Sequence, residues 1–125
     1  YEEYKQYEDI IQNVEYDINL FEEYTKGYLS ALGNSVTKCE KENLPFGALL
    51  MTLECGIRFL TDHLNGDTYF KIHREGHNLD RCRTQFKLVY EMEQNLDKIK
   101  EIINSLVKFL IVITPFLFYF ITTAA

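Results

Sequence analysis

Residues Leu49–Met92, LLMTLECGIRFLTDHLNGDTYFKIHREGHNLDRCRTQFKLVYEM, say most about how this chain folds. The stretch holds the end of one helix, a short connection and the start of another. Phe46, Leu49, Leu50, Leu53, Ile57, Leu60 and Leu64 recur at intervals of three and four, the spacing of one apolar helix face. Asn65–Gly66 is a stop signal, because glycine enters the left-handed region that closes a helix without a Cβ penalty. Asp67 to Ile72 is too short for another helix and reads as a loop with a brief extended piece. Asn78 is then expected to cap a long helix, with Asp80 in its first turn where a negative charge suits the helix dipole. The stripe of that helix is Leu79, Cys82, Phe86, Val89, Met92, Leu96, Ile99 and Ile103.

Moving upstream, Asp17 is placed to cap a helix reaching Leu32, with Leu20, Phe21, Tyr24, Tyr28 and Leu32 on one face and Gly33–Asn34 as its end. Thr37 and Glu40 match the reciprocal capping box at the start of the next helix, and Pro45 allows a break or a new first turn. The spacing of Tyr1, Tyr4, Tyr7, Ile10 or Ile11, and Val14 suits a helix, with a short strand near Asn13–Tyr16 as the alternative. Downstream, residues 106–125 read LVKFLIVITPFLFYFITTAA, and Lys108 is their one charge. About 20 apolar residues cross a bilayer as a helix, so this tail is of borderline length, and Pro115 in its middle is compatible with a membrane helix. The expected class is mainly α, with four or five helices, one short extended linker and an apolar tail helix. The expected divisions are a lead-in at 1–16, a helical segment at 17–105 and the tail at 106–125.

Composition narrows the function. The 125 residues carry a formal net charge of −6, so sequence-independent attraction to a phosphate backbone is absent and nucleic acid is not an expected partner. Cys39, Cys55 and Cys82 are odd in number and far apart, which fits reduced thiols in the cytoplasm rather than a disulfide framework or a zinc site. Residues 1–7 are too polar for a signal peptide, and the opening on Tyr1 without an initiator Met suggests a fragment.

Several motifs resolve into ordinary readings. His73-Arg74-Glu75-Gly76-His77 puts two histidines four apart, but its acid is misplaced for a zinc general base, so no metal is expected. The same residues lack the Asp and the correctly spaced Asn of a kinase catalytic loop. Glu54, Arg58 and Asp62 at i, i+4 and i+8 suit an exposed ion-pair ladder, or an Arg held rigid to recognise hydroxyls or carboxylates. Tyr69, in the loop after the stop, offers a flat face and a hydroxyl, useful to a sugar ring but as often used for packing. No phosphate-cradling glycine loop is present, and no catalytic residue is assigned.

Met51–Val89, with ECGIRFLTDHL, GDTYFK and HNLDRCRTQ in order, resembles the C-terminal part of the N-acetylhexosamine 1-kinases, sugar kinases of the aminoglycoside phosphotransferase family. LFEEYTKGYL at Leu20–Leu29 and LPFGALLMTLE at Leu44–Glu54 extend the likeness, which covers roughly Asp9 to Met92. The resemblance implies a helical segment of a kinase-like C-lobe. It also implies transfer of the ATP γ-phosphate to the anomeric hydroxyl of an N-acetylhexosamine, with Mg²⁺. Arg58 in GIRFL and Tyr69 in GDTYF match residues that contact the sugar in such enzymes. The nucleotide lobe, catalytic-base loop and metal-binding Asp lie upstream in the family and are not in this chain. Leu96 stands where relatives often have Trp, His63 where they commonly have Tyr, and the apolar tail has no counterpart.

The resulting expectation is an incomplete C-terminal segment of a sugar kinase, inactive alone and completed by N-terminal lobes. It would hold no cofactor itself and meet an N-acetylhexosamine through Arg58 and Tyr69. The alternative is a small non-enzymatic helical protein anchored by residues 106–125, with Lys98, Lys100 and Lys108 favouring the cytoplasmic side.

Overall fold

A computed structural model of the chain describes residues 11–123, with side chains described except at Asn34 and at residues 110–123. The lead-in expected over 1–16 therefore lies mostly outside the described residues. The architecture is mainly α, as the sequence indicates, with four helices and no strand among the described residues. They are α1 (Ile18–Leu32), α2 (Lys38–Leu64), α3 (His77–Gln94) and α4 (Leu96–Thr123), and a 3₁₀ turn covers Gly33–Ser35. The chain forms two compact units, one built on Phe46–Asn95 and the other on Asp17–Pro45 with the α4 segment from Leu96 onward.

In the second unit, α1 packs along α4. Asp17 starts α1 as expected, its carboxylate accepting the amides of Asn19 at 2.9 Å and Leu20 at 3.0 Å. Gly33 ends it at φ 53°, its own amide donating to the Leu29 carbonyl. The buried face differs from the expected one: Thr25 and Leu29 are buried, whereas Leu20, Tyr24 and Tyr28 are exposed. Apolar residues surround much of α1, so periodicity permits more than one rotation, and packing along α4 selects the face of Thr25 and Leu29. Ile99 and Ile103, one turn apart on α4, are also buried, and each such side chain contributes about 1.5–3 kcal/mol. The capping box forms in full: Thr37 donates its amide to Glu40 Oε2 at 2.7 Å, and the Glu40 amide donates to Thr37 Oγ1 at 3.2 Å. α2 runs on through Pro45 without the break that residue allowed.

The Phe46–Asn95 unit is an antiparallel pair. From Asp62 the contacts step back along α2 by threes, to Phe59 and then Gly56, while they step forward along α3 from Asn78 to Arg81 and then Gln85–Phe86. Gly56 is buried at the closest approach, where a Cβ would lie 2.6 Å from Phe86 Cε1 and 3.1 Å from Gln85 Cβ. Cys82, Val89 and Met92 bury one face of α3, and Leu49 is buried on α2. Of the rest of the expected α2 stripe, Leu53 and Leu60 are half-buried, while Phe46, Leu50, Ile57 and Leu64 are exposed.

The long helix expected from Asn78 through Ile103 is two helices. Asn95 interrupts it, its Nδ2 donating to the Glu91 carbonyl at 2.8 Å and its amide to the carbonyls of Glu91 and Met92. An Asn side chain competes with the backbone for such carbonyls, and that competition ends α3 despite an unbroken apolar period. The three cysteines are free, as their spacing indicates. Among the residues whose side chains are described, one helix, Lys38–Leu64, is long and apolar enough to cross a membrane, with a window of mean hydropathy 1.3.

Gly56→Ala is expected to lower stability. Overpacking against Phe86 and Gln85 costs about 1–3 kcal/mol, against which alanine's better helix propensity returns about 1 kcal/mol. Urea denaturation of Gly56→Ala beside Gly56→Ala/Phe86→Ala measures this, and the second change should recover part of the loss.

Candidate functional site

The site is built where α2 stops. Gly66 at φ 87° and Asp67 at φ 56° take the chain through two successive left-handed positions, the first suited to glycine and the second tolerated by Asp. The amide of Asp67 donates to the Asp62 carbonyl at 2.8 Å, and the loop folds back over the end of α2.

Asp62 organises the loop beyond that turn. Its Oδ1 accepts the amides of Thr68 at 3.0 Å and Tyr69 at 2.8 Å. Its Oδ2 accepts the amide of Phe70 at 2.9 Å and the Asn78 Nδ2 at 2.8 Å. A carboxylate offers about four acceptor positions, so Asp62 is saturated. Burial raises its pKa, but the amides of Phe70, Tyr69 and Thr68 and the Asn78 side chain together hold the carboxyl below the usual carboxylate range.

Asn78 is the other half of the connection. It is fully buried, and it does not cap α3; that place falls to Gly76, at φ 70° with no side-chain bond. Its amide group donates to both Asp62 Oδ2 and Asp67 Oδ1, each at 2.8 Å, and its oxygen accepts from Arg81 Nη1 at 2.9 Å. The capping expectation failed because Asn78 lies one position inside the helix, facing α2, where a buried carboxylate requires a donor. Arg81 also donates to the Lys71 carbonyl at 3.2 Å, and its guanidinium lies 5.4 Å from the Phe59 ring centre. The loop is thus fastened at Asp67, at Thr68–Phe70 and at Lys71.

This fastening sets out a row of aromatic and cationic groups. The Phe70 ring lies 4.8 Å from Phe59 on one side and 4.8 Å from Tyr69, edge to face, on the other. Arg58 reaches over both loop rings, 5.3 Å from the Phe70 centre and 5.9 Å from that of Tyr69. Its Nε is 3.6 Å from Glu54 Oε1. Only the Glu54 half of the expected ladder therefore forms, because the Asp62 carboxylate turns to the loop amides. A cleft of about 370 Å³ opens here, lined by Arg58, Asp62 and Asn65 of α2 and its end and by Thr68, Tyr69 and Phe70 of the loop. Arg58 and Tyr69, the two residues singled out from the sequence, share this cleft.

The histidines serve the local backbone. His73 is exposed, and its amide donates to His77 Nδ1 at 3.3 Å, which requires a neutral His77 ring. Burial, then the cations Arg81 and Arg74, lower the His77 pKa and favour that neutral form. No group of three His, Cys, Asp or Glu side chains able to hold a metal ion is found among the described residues. His63 pairs with Asp67 at 3.4 Å.

The Asp62 carboxylate is saturated, and the cleft offers a planar ring face, a guanidinium, an amide and hydroxyls that can stack on and hydrogen-bond a ligand. Sequence reasoning named Asp62 and Asn78 but missed the bond between them, sixteen residues apart. One signal was available: an acid in the last turn of a helix opposes the dipole there, so Asp62 had to find donors elsewhere. No protein-family model matches this chain.

Asn78→Ala is expected to cost about 1–3 kcal/mol, since it removes a donor from two carboxylates and strands the Arg81 contact in a buried place. Thermal denaturation followed by circular dichroism measures it. The Asp62 pKa is lowered in the folded state, so its contribution is complete above the unfolded-state value near 3.8 and is lost as pH falls below that. An acid titration of stability should therefore be shallower in Asp62→Asn than in the wild type as pH falls below about 4.

Proposed function

We propose that this chain is a C-terminal segment of a sugar kinase that phosphorylates an N-acetylhexosamine at C1 with ATP. In that reading Arg58 and Tyr69 supply part of the sugar-binding pocket, and the segment is inactive alone. The observation that carries the reading is the convergence of these two residues, eleven positions apart, on one cleft with its own aromatic wall. The Tyr69 ring is exposed and would lie against a face of the sugar, while Arg58 offers N–H groups to its hydroxyl or acetamido oxygens. The uncovered stripe at Phe46, Leu50, Ile57 and Leu64 adds support, because an apolar face of that kind is what a lobe leaves open when the parts packing on it lie elsewhere.

Catalysis of phosphoryl transfer needs phosphates, metals and base positioned together. The proposed reaction uses ATP and Mg²⁺; among the described residues no group of three His, Cys, Asp or Glu side chains able to hold a metal ion is found, and the Asp62 carboxylate in the cleft has no free acceptor position. Those groups belong to the N-terminal lobes in this reading, and no step of the transfer is assigned to residues here.

A membrane-anchored, non-enzymatic protein is the second reading. The observation in its favour is that α4 stays helical to Thr123, so residues 106–123 form an apolar helix of ~27 Å against a hydrocarbon core of ~30 Å. Resistance of the membrane-bound chain to carbonate extraction is the expected result under that reading, and full recovery in the soluble fraction removes it.

For the sugar reading, N-acetylglucosamine titrated into the ¹⁵N-labelled chain should shift the amides of Arg58, Thr68 and Tyr69. Arg58→Ala should weaken binding roughly 10–100-fold, as expected for loss of a hydrogen bond from a charged group. Tyr69→Phe should weaken it less than Tyr69→Ala. Unchanged affinity in Arg58→Ala would sink the site assignment.

A further inference from the structure

We infer that Asp62 and Asn78 form a latch that positions Tyr69 beside Arg58, and that protonation of the Asp62 carboxyl releases the cleft wall while the helices stay folded. The latch deepens the sugar-site reading, on which only its consequence for ligand binding rests.

Little side-chain packing fixes Tyr69: its ring is exposed, with Phe70 and Arg58 as its ring contacts. Its backbone, by contrast, is tied at its own amide and at the amides on both sides, and all three bonds end on one carboxylate. Three successive amides pointing at one anion form a concave nest, and the nest fixes the direction in which the Tyr69 and Phe70 side chains leave the loop. Phe70 is tied at its ring as well, through Phe59. The wall of the cleft is therefore placed by a single anion and its donors, with Asn78 holding that anion against α3.

The same arrangement makes the wall sensitive to one proton. A neutral carboxyl presents a donor where a donor already points, so at least one of the four bonds must break, and the remaining acceptor is weaker. Asp67, the neighbouring acid, shares the Asn78 donor, and among the described residues no cation bonds the Asp62 carboxylate directly. From α3, Arg81 reaches it only through the oxygen of Asn78. On its own helix and loop, His63 is engaged by Asp67, and Arg58 is turned to Glu54 and the rings. Release need not unfold the pair of helices, because Gly56–Phe86 and the buried Cys82, Val89 and Met92 lie further along α3. Asp62 and Asn78 are positioning residues in this scheme; the side chains that would touch a ligand are those of Arg58 and Tyr69.

The test is a ¹H–¹⁵N titration of the full chain from neutral pH downward, with the Arg58 side-chain protons followed for the ring-current shift of Tyr69 and Phe70. The expected result is one shared midpoint for the amides of Thr68, Tyr69 and Phe70, below the ordinary 3.8 of an aspartate. The Arg58 ring-current shift should be lost over the same range, while the Val89 and Met92 amides remain in place. In Asp62→Asn the wall should be released already at neutral pH, and the titration should vanish. Separate midpoints for the three amides, a retained Arg58 shift after they titrate, or loss of Val89 and Met92 at the same midpoint would each overturn the latch. N-acetylglucosamine at neutral pH separates this from the sugar reading. A tenfold or greater loss of affinity in both Asp62→Asn and Asn78→Ala, with α3 amides unchanged, supports positioning, and wild-type affinity in both variants overturns it. If the wild-type chain binds no sugar, the sugar reading fails while the amide titration still decides the latch.

Discussion

A buried carboxylate near the end of a helix is the feature that orders the Phe46–Asn95 unit. Asp62 sits where the carbonyl ends of α2 already concentrate negative charge, so its own charge is unfavourable unless donors surround it. The chain meets that requirement by turning back through Gly66 and Asp67 and offering three consecutive amides, while α3 offers Asn78. The loop path, the start of α3 and the direction of Tyr69 are all consequences of satisfying one anion. Removing the charge does not simply subtract a contact; it removes the reason for the loop to take this course.

The other contacts of the unit have a different character. The Gly56–Phe86 approach is non-directional and limits how close α2 and α3 come. It does not orient a side chain in a cleft. Directional bonds from a saturated carboxylate do, which explains how an open site can be well defined although Arg58 and Tyr69 are largely exposed. Apolar contact limits the approach of the helices, and hydrogen bonding sets the site.

Asp62 also changes the meaning of its neighbours. Read along one helix face, Glu54, Arg58 and Asp62 form a ladder of charges with Arg58 at its centre. With Asp62 committed to the loop, Arg58 keeps one acid and gains two aromatic rings. An Arg placed this way has N–H groups to spare for a ligand, whereas an Arg clasped by two acids does not. His73 and His77, which attract attention in the sequence, are by the same logic accounted for by a backbone bond and a neutral ring.

Local sequence was enough for the helical class, the Asp17 and Thr37–Glu40 starts, the Gly33 and Asn65–Gly66 stops and the free cysteines, because each rests on residue types and their near neighbours. It also drew attention to Arg58 and Tyr69. Folding itself selected which face of α1 is buried, where the long C-terminal period breaks, and the role of Asn78, which binds Asp62 instead of capping α3. Those outcomes turn on partners far away in the chain, or on a side chain choosing between two acceptors of similar local merit. Periodicity reports that an apolar face exists, but it cannot say which neighbour will cover that face. Spacing reports that a carboxylate lies near a helix end, but only the folded chain shows which amides arrive to neutralise it.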